Sequence, residues 1–326
     1  MKKVIVTKHL RKEGLSILGD KVKKAIVNDS IPDTFVDEWK DANGIIIWGG
    51  KVGKNDIENA PNLEVIATVG VGYDNVDVDA ATKHGIPVCI SAGANARAVA
   101  EITIGLLLAV DRRIVEEHAA TRAGTALRFG GHPELSFELY EKTMGLIGLG
   151  NIGKLVGKMA EAFGMKVIGY DPYVTRDDIE KLGWTYYENC DDVLKNADVV
   201  SIHVPKLPST TNFITMRELK LMKNTAVILN TARGGIINEN DLADALNNDI
   251  IAGAALDVFE NEPPSPDSKL LHAKNLVCAP HNGAQTLEAM INMNTMCTNA
   301  VLAVLNGEKW AYVANPEVYN HPKWKK

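Results

Sequence analysis

Short apolar runs recur through the first ninety residues, at Val4 to Thr7, Ala25 to Val27, Ile45 to Trp48, Val65 to Thr68 and Val88 to Ile90. Between most of them lie polar stretches long enough for a helix, the rhythm of strands and helices alternating in a parallel sheet. A second series follows at Met144 to Ile147, Val167 to Tyr170, Val199 to His203, Ala226 to Asn230, Gly253 to Leu256 and Leu276 to Cys278. Two α/β units are therefore expected. Between the two series, Ala98 to Thr121 has apolar residues at helical spacing and few breakers, which predicts one long helix. Ala123 to Pro133 is richer in glycine and reads as a loop or arm. Leu287 to Leu305 predicts a last helix, stopped by Asn306-Gly307 and expected to return to the first unit, which would make that domain discontinuous.

Composition narrows the class of protein. A chain of 326 residues, 46% hydrophobic and 23% charged, has the profile of globular protein with two cores. The net charge of -6 argues against a general nucleic-acid surface, which needs clustered Lys and Arg. Cys89, Cys190, Cys278 and Cys297 lie far apart with no CxxC pair and read as reduced thiols of a cytoplasmic protein. The apolar run Val4 to Val6 is too short for a signal-peptide core, and Ile102 to Val110 is too short to span a bilayer, so no membrane partner is expected. With no His/Cys cluster, no metal is expected either.

The first chemical signal is Gly148-Leu149-Gly150-Asn151-Ile152-Gly153. A lone GxGxxG is weak, but this one follows an apolar strand and opens a helix read as Lys154 to Phe163. A second strand then ends at Asp171. Gly148 permits the tight turn, Gly150 lets the backbone approach a pyrophosphate, and Gly153 lets helix and strand pack closely. The N–H groups at the helix start, including those of Asn151 and Ile152, would face the phosphate charge. Asp171 can accept from both adenosine ribose hydroxyls and would repel a 2′-phosphate, which favours NAD over NADP. The alternative is a packing turn in which Asp171 caps the turn before Pro172.

Three further segments fall after second-unit strands, where ligands bind in doubly wound sheets: Thr231 to Gly235, Asp257 to Pro263, and Pro280 to Gly283. Each holds one chemically able residue. Arg233 offers a fork that fits a carboxylate, His281 can exchange a proton near neutral pH, and Glu262 can orient and support that His.

From about Ile45 to Asn315 the sequence resembles the D-2-hydroxyacid dehydrogenase family. The matching stretches are Gly70 to Asp77, Val99-Ala100-Glu101, the glycine loop, His203-Val204-Pro205, Asn230 to Gly235, Asp257-Val258-Phe259 with Glu262-Pro263, and Pro280-His281. The resemblance implies two Rossmann-like, doubly wound parallel-sheet domains with a cleft between them. Residues 1–98 with 288–326 would form a flavodoxin-like substrate domain, and 99–287 an NAD-binding Rossmann domain. It implies Arg233, Glu262 and His281 as the catalytic trio, and His203, Val204, Pro205, Thr231, Ala232 and Asp257 as further cofactor contacts, with Asp257 on the nicotinamide carboxamide. The reaction would interconvert a D-2-hydroxy acid and its 2-oxo acid by hydride transfer with NAD. The substrate carboxylate would meet Arg233 and the backbone N–H groups of Val71 and Gly72. A homodimer through the long helix and arm, about residues 98–140, is also implied. The alternative there is that Leu106, Leu107, Leu108 and Phe129 complete one subunit's own core.

The trio defines the reaction and leaves the substrate side chain open. Phosphoglycerate dehydrogenases of the family commonly carry an Arg after the strand that here ends at Trp48, whereas this chain has Trp48-Gly49-Gly50-Lys51. Replacing a bidentate donor by an indole favours a small unphosphorylated 2-oxo acid such as hydroxypyruvate, glyoxylate or a pyruvate-like acid, although Lys51, Lys54 or Arg97 offers some cationic compensation. The chain's lack of room for the regulatory domain that many serine-pathway members carry points the same way. Asn282 and Gln285 stand where the family often has small aliphatic residues; they serve either the substrate tail or the loop. The other readings are D-3-phosphoglycerate dehydrogenase and a corepressor-type protein that senses NAD(H). A formate- or phosphonate-type dehydrogenase of similar fold is a further alternative; Glu262 disfavours the formate type, because formate oxidation needs no proton shuttle at that position.

Overall fold

The computed structural model, which describes residues 1–7, 10–27, 39–126 and 136–325, separates into two units. One is Met1–Asn95 with Gln285–Lys326 and the other is Ala96–Ala284. In the first unit, β1 (Lys3–Thr7), β2 (Lys23–Val27), β3 (Gly44–Ile47), β4 (Val65–Thr68) and β5 (Val88–Cys89) form a parallel sheet in the order β2-β1-β3-β4-β5. Every residue of β3 and β4 is buried, which explains why these strands read as unbroken apolar runs. Helices α1 (Lys12–Leu18), α2 (Lys54–Glu58) and α3 (Val78–Lys83) join the strands. The C-terminal helix, Leu287–Leu305, starts where Thr286 caps the Ala289 N–H and packs on β3, β4 and α1.

The second unit begins with α4 (Ala96–Asp111) and α5 (Ile114–Ala123). Its sheet comprises β6 (Thr143–Ile147), β7 (Lys166–Tyr170), β8 (Thr185–Tyr186), β9 (Val199–Ile202), β10 (Val227–Asn230), β11 (Gly253–Leu256) and β12 (Leu276–Cys278). Helices α6 (Asn151–Ala162), α7 (Arg176–Glu180), α8 (Cys190–Asn196), α9 (Met216–Leu219) and α10 (Glu239–Asn247) complete it. The order β12-β11-β10-β9-β6-β7-β8 is parallel throughout and reverses direction at β6. The crevice beyond the carboxyl ends of β6 and β9 is therefore the place where such a sheet binds ligands.

Packing at this switch point is close because small residues allow it. On α6 the buried positions Gly153, Val156, Gly157 and Ala160 share one face, and a Cβ on Gly157 would meet the Trp184 ring at 2.4 Å. On β6, a Cβ on Gly145 would come within 2.7 Å of Ala197, so the chain after α8 lies directly on the strand.

The structure departs from the apolar pattern in three places. The helix expected over Ala98 to Thr121 is two helices, broken at Arg113, whose φ of 49° is left-handed. Ser136 Oγ donates to the Asp111 carbonyl at 2.6 Å and the Phe137 N–H to the Asp111 carboxylate at 3.2 Å, so a distant segment draws this polar turn out of the helical ladder. β8, absent from the apolar pattern, is a two-residue strand held by β7 alone. Trp48 and His203 lie just past the ends of β3 and β9, in the loops that follow. Much of the expected arm, including Phe129, lies outside the described residues. Among the described residues no helix is long and apolar enough to cross a membrane.

Candidate active site

The glycine loop occupies the turn between β6 and α6, and its glycines do different work. Gly148 has φ +99°, and a Cβ there would lie 2.7 Å from the His203 carbonyl carbon. A Cβ on Gly153 would lie 2.1 Å from the Gly148 carbonyl oxygen. Both are needed by the protein's own packing. Gly150 is different: its φ of -75° suits any residue and a Cβ would meet nothing within 4 Å. That open face adjoins the start of α6, where Gly150 is the N-cap and no side chain caps the helix. An uncapped N-terminus beside an open glycine is a cradle that fits a pyrophosphate.

Asp171 follows β7 with its carboxylate already fastened. One oxygen accepts from the Leu149 N–H and the other from the Tyr173 N–H, each at 2.8 Å. The two readings of this residue are thus physically compatible, since it caps its own turn and also presents a fixed anion beside the glycine loop. His203 closes the other side, with Nε2 2.9 Å from Ser201 Oγ. Burial pushes its pKa down to about 3, so the ring is neutral and can contact a cofactor without adding charge. Val204 and Pro205 continue the same loop after β9.

The Arg233 turn is built by Asn230 at the end of β10. The buried Asn230 side chain donates to the Arg233 carbonyl at 2.8 Å and accepts from the Ala232 N–H at 3.0 Å. Thr231 Oγ1 lies 2.8 Å from Thr103 Oγ1, tying the turn to α4. Arg233 itself is half-buried and donates to the Ala232 carbonyl. Next to it, a Cβ on Gly234 would fall 1.8 Å from the Phe259 carbonyl oxygen. The backbone after β10 therefore rests directly on the backbone after β11, from which Glu262 is carried.

Glu262 and His281 meet. Glu262 Oε2 lies 2.6 Å from His281 Nδ1, while Oε1 accepts from the Phe259 N–H at 3.0 Å. A carboxylate partner places the Nδ1 proton between the two, which leaves Nε2 as the atom that can exchange a proton with a ligand. His281 adopts a left-handed φ of 54°, uncommon for a side chain of its size. Asp257 holds it there: buried to 1% exposure, its two oxygens accept from the Asn282 N–H at 2.9 Å and the Gly283 N–H at 2.8 Å. Burial raises the Asp257 pKa, opposed by these two N–H donors and by His281.

Arg233, Glu262 and His281 all belong to the second unit, on loops after β10, β11 and β12. Trp48, Val71 and Gly72 belong to the first, after β3 and β4. There Val71 is 36% exposed, and Gly70 has φ +144° with nothing within 4 Å of its missing side chain. Sequence reasoning assigned no role to Asn230, because an Asn at a strand end looks like any turn former. Among the described residues no group of three His, Cys, Asp or Glu is arranged to hold a metal.

A family model described as "D-isomer specific 2-hydroxyacid dehydrogenase, NAD binding domain" matches residues 104–283. The glyoxylate reductase of Thermococcus litoralis is 42% identical over 272 residues, covering 82% of each chain. The D-3-phosphoglycerate dehydrogenase of Methanocaldococcus jannaschii is 40% identical over 97% of this chain, which spans only 60% of that relative's length. Among solved structures, an NADPH-dependent glyoxylate/hydroxypyruvate reductase of Sinorhizobium meliloti, in complex with NADP and malonate, superposes with a TM-score of 0.86 at 29% identity. That match covers 96% of each chain. The chain belongs to the D-isomer specific 2-hydroxyacid dehydrogenase family. Its cofactor is a nicotinamide dinucleotide.

The glycine geometry separates folding from binding. Gly150→Ala should keep the melting temperature within a few degrees, since an added methyl group meets no protein atom, yet weaken NADH binding, read by fluorescence titration, by on the order of tenfold or more. Gly148→Ala should instead lower the melting temperature, because it combines a left-handed φ with a backbone clash. Equal NADH affinity in Gly150→Ala and the parent protein would refute the cradle assignment.

Proposed function

We propose that the chain interconverts a small D-2-hydroxy acid and its 2-oxo acid with NAD, using His281 and Glu262 as proton relay and Arg233 as carboxylate anchor. The observation that carries this reading is the 2.6 Å contact between His281 Nδ1 and Glu262 Oε2, on a loop locked to the one that bears Arg233. When bound, the nicotinamide supplies or takes up the hydride. Arg233, with its planar fork, grips the substrate carboxylate, and the N–H groups of Val71 and Gly72 are assigned to substrate binding. In reduction, His281 gives the Nε2 proton to the developing alkoxide oxygen. Glu262 stabilises the imidazolium before transfer, and oxidation runs the same proton path in reverse.

Gly148, Gly150, Asn151, Ile152 and Gly153 are assigned to the pyrophosphate, and Asp171 to the adenosine ribose. His203, Val204, Pro205, Thr231, Ala232 and Asp257 are assigned to the nicotinamide side. The fixed carboxylate of Asp171 supports NAD over NADP, because a 2′-phosphate would meet an anion that two backbone N–H groups hold in place. Trp48 is assigned to substrate selection, which favours unphosphorylated acids such as glyoxylate or hydroxypyruvate. The glyoxylate reductase relatives matched along nearly their whole length support this choice. The second reading, D-3-phosphoglycerate oxidation, is favoured by the 40% identity to the Methanocaldococcus protein.

A cytoplasmic homodimer completes the proposal. All four cysteines are free thiols, as the cytoplasm maintains. No residue of α5 is buried, and Ile114 and Val115 are 51% and 55% exposed, so this helix presents apolar surface to a second copy. Leu106 and Leu107 are buried in the unit's own core and are not available to a partner.

Turnover of glyoxylate, hydroxypyruvate, pyruvate, branched and aromatic 2-oxo acids and phosphohydroxypyruvate, followed by NADH consumption, is the direct test. Glyoxylate or hydroxypyruvate should react, more slowly with NADPH; reaction of phosphohydroxypyruvate alone would install the second reading. His281→Ala should lose on the order of a hundredfold or more in kcat while NADH affinity holds. Sedimentation velocity should show a dimer that Ile114→Asp with Val115→Asp disperses, and a monomeric parent protein would remove the dimer from the account.

A further inference from the structure

One carboxylate beside the proton pair has no role in the reaction as described. Glu239 is the first residue of α10, half-buried. The helix needs nothing from its side chain for capping, because Asn238 already accepts from the Asp241 N–H. Glu239 Oε1 instead reaches across to accept from the backbone N–H of Glu260. The adjacent amide, that of Phe259, donates to Glu262. Two consecutive N–H groups of the loop after β11 are thus claimed by two carboxylates. The Phe259 carbonyl between them is pressed against Gly234.

The charges around Glu239 come from three elements. Lys206, in the loop after β9, lowers the Glu239 pKa by its charge, and a Cβ on Gly235 would lie 2.9 Å from Lys206 Nζ and 3.9 Å from Glu260 Cγ. Glu260 and Glu262, in the loop after β11, oppose its ionisation, and Cys278 on β12 feels its charge. Burial pushes the Glu239 pKa up and the Glu260 N–H holds it down. A carboxylate placed among other carboxylates and faced by one Lys is not a surface salt bridge. It is part of the electrostatic surroundings of Glu262.

We propose that Glu239 is a positioning residue for the proton-transfer pair: by holding the Glu260 N–H it sets the loop that carries Glu262, and with Lys206 it sets the local charge under which the pair exchanges its proton. The inference rests on the reading of Glu262 and His281 as that pair. It predicts opposite signs for two substitutions, since a nearby negative charge favours the protonated form and a nearby positive charge disfavours it.

The test is the pH dependence of kcat/KM for reduction of the most rapidly reduced 2-oxo acid by NADH, measured on the full chain and its variants. Reduction needs the proton, so the rate falls as pH rises. Glu239→Gln keeps an oxygen for the Glu260 N–H and removes the charge; it should move that fall to lower pH by roughly half a pH unit. Lys206→Met should move it to higher pH by a similar amount. Glu239→Ala, which also frees the loop, should lower kcat by on the order of tenfold with little change in NADH affinity. A purely structural Glu239 would change the melting temperature and leave the pH profile in place. If both charge variants keep the parent profile while His281→Ala is inactive, the role given to Glu239 is wrong. If His281→Ala keeps its turnover, the proton-pair reading beneath it fails.

Discussion

The site depends on one buried carboxylate. Asp257 lies at the end of β11 with both oxygens engaged by consecutive N–H groups of the loop after β12. Those two amides follow directly on His281, so the grip of Asp257 decides where the imidazole stands. Removing it would strand two N–H groups, one of them buried, at a cost of about 1–3 kcal/mol for each that stays unpaired. The same interaction sustains the left-handed backbone of His281, a conformation that persists only when its surroundings over-determine it. Gly283 fits the arrangement, because a Cβ there would lie 2.8 Å from the Asp257 carboxylate.

From this point the geometry spreads through backbone contacts more than through side-chain pairs. The loop after β11 is pinned by Gly234 on one side, and Asn230 shapes the turn in which Gly234 sits. Arg233, Glu262 and His281 are therefore held by three adjacent strand ends whose loops touch one another. A site assembled this way is pre-organised, since the side chains need little movement to reach a working arrangement. On the other flank, the glycine loop keeps Gly148 and Gly153 for its own closure and leaves Gly150 facing open space. One six-residue pattern thus closes its own turn and leaves one glycine open at the start of α6.

Much of this was legible from residue order. Apolar runs located eleven of the strands to within a residue or two, because most of them are buried on both faces and so nearly continuous in hydrophobic residues. The pairing of Glu262 with His281, 19 positions apart, was anticipated from the chemistry of the two side chains and from family resemblance, since periodicity alone does not indicate it. What stayed hidden depended on long-range contacts. The break at Arg113 is tied to hydrogen bonds from Ser136 and Phe137. Asn230 and Glu239 drew no reading of their own from the sequence; only their partners, the Arg233 turn and the Glu260 amide, distinguish them. Asp257 was expected at the nicotinamide; of its hold on the His281 loop the sequence carried no sign.

The most direct measurement of the central claim is the single-turnover rate of hydride transfer from saturating NADH in Asp257→Asn. The amide has one acceptor oxygen for two N–H donors and so cannot reproduce the grip. The account predicts a rate lower by about ten- to a hundredfold in a variant that still folds. A rate equal to that of the parent protein would contradict it, and would show that His281 is placed by something other than this carboxylate.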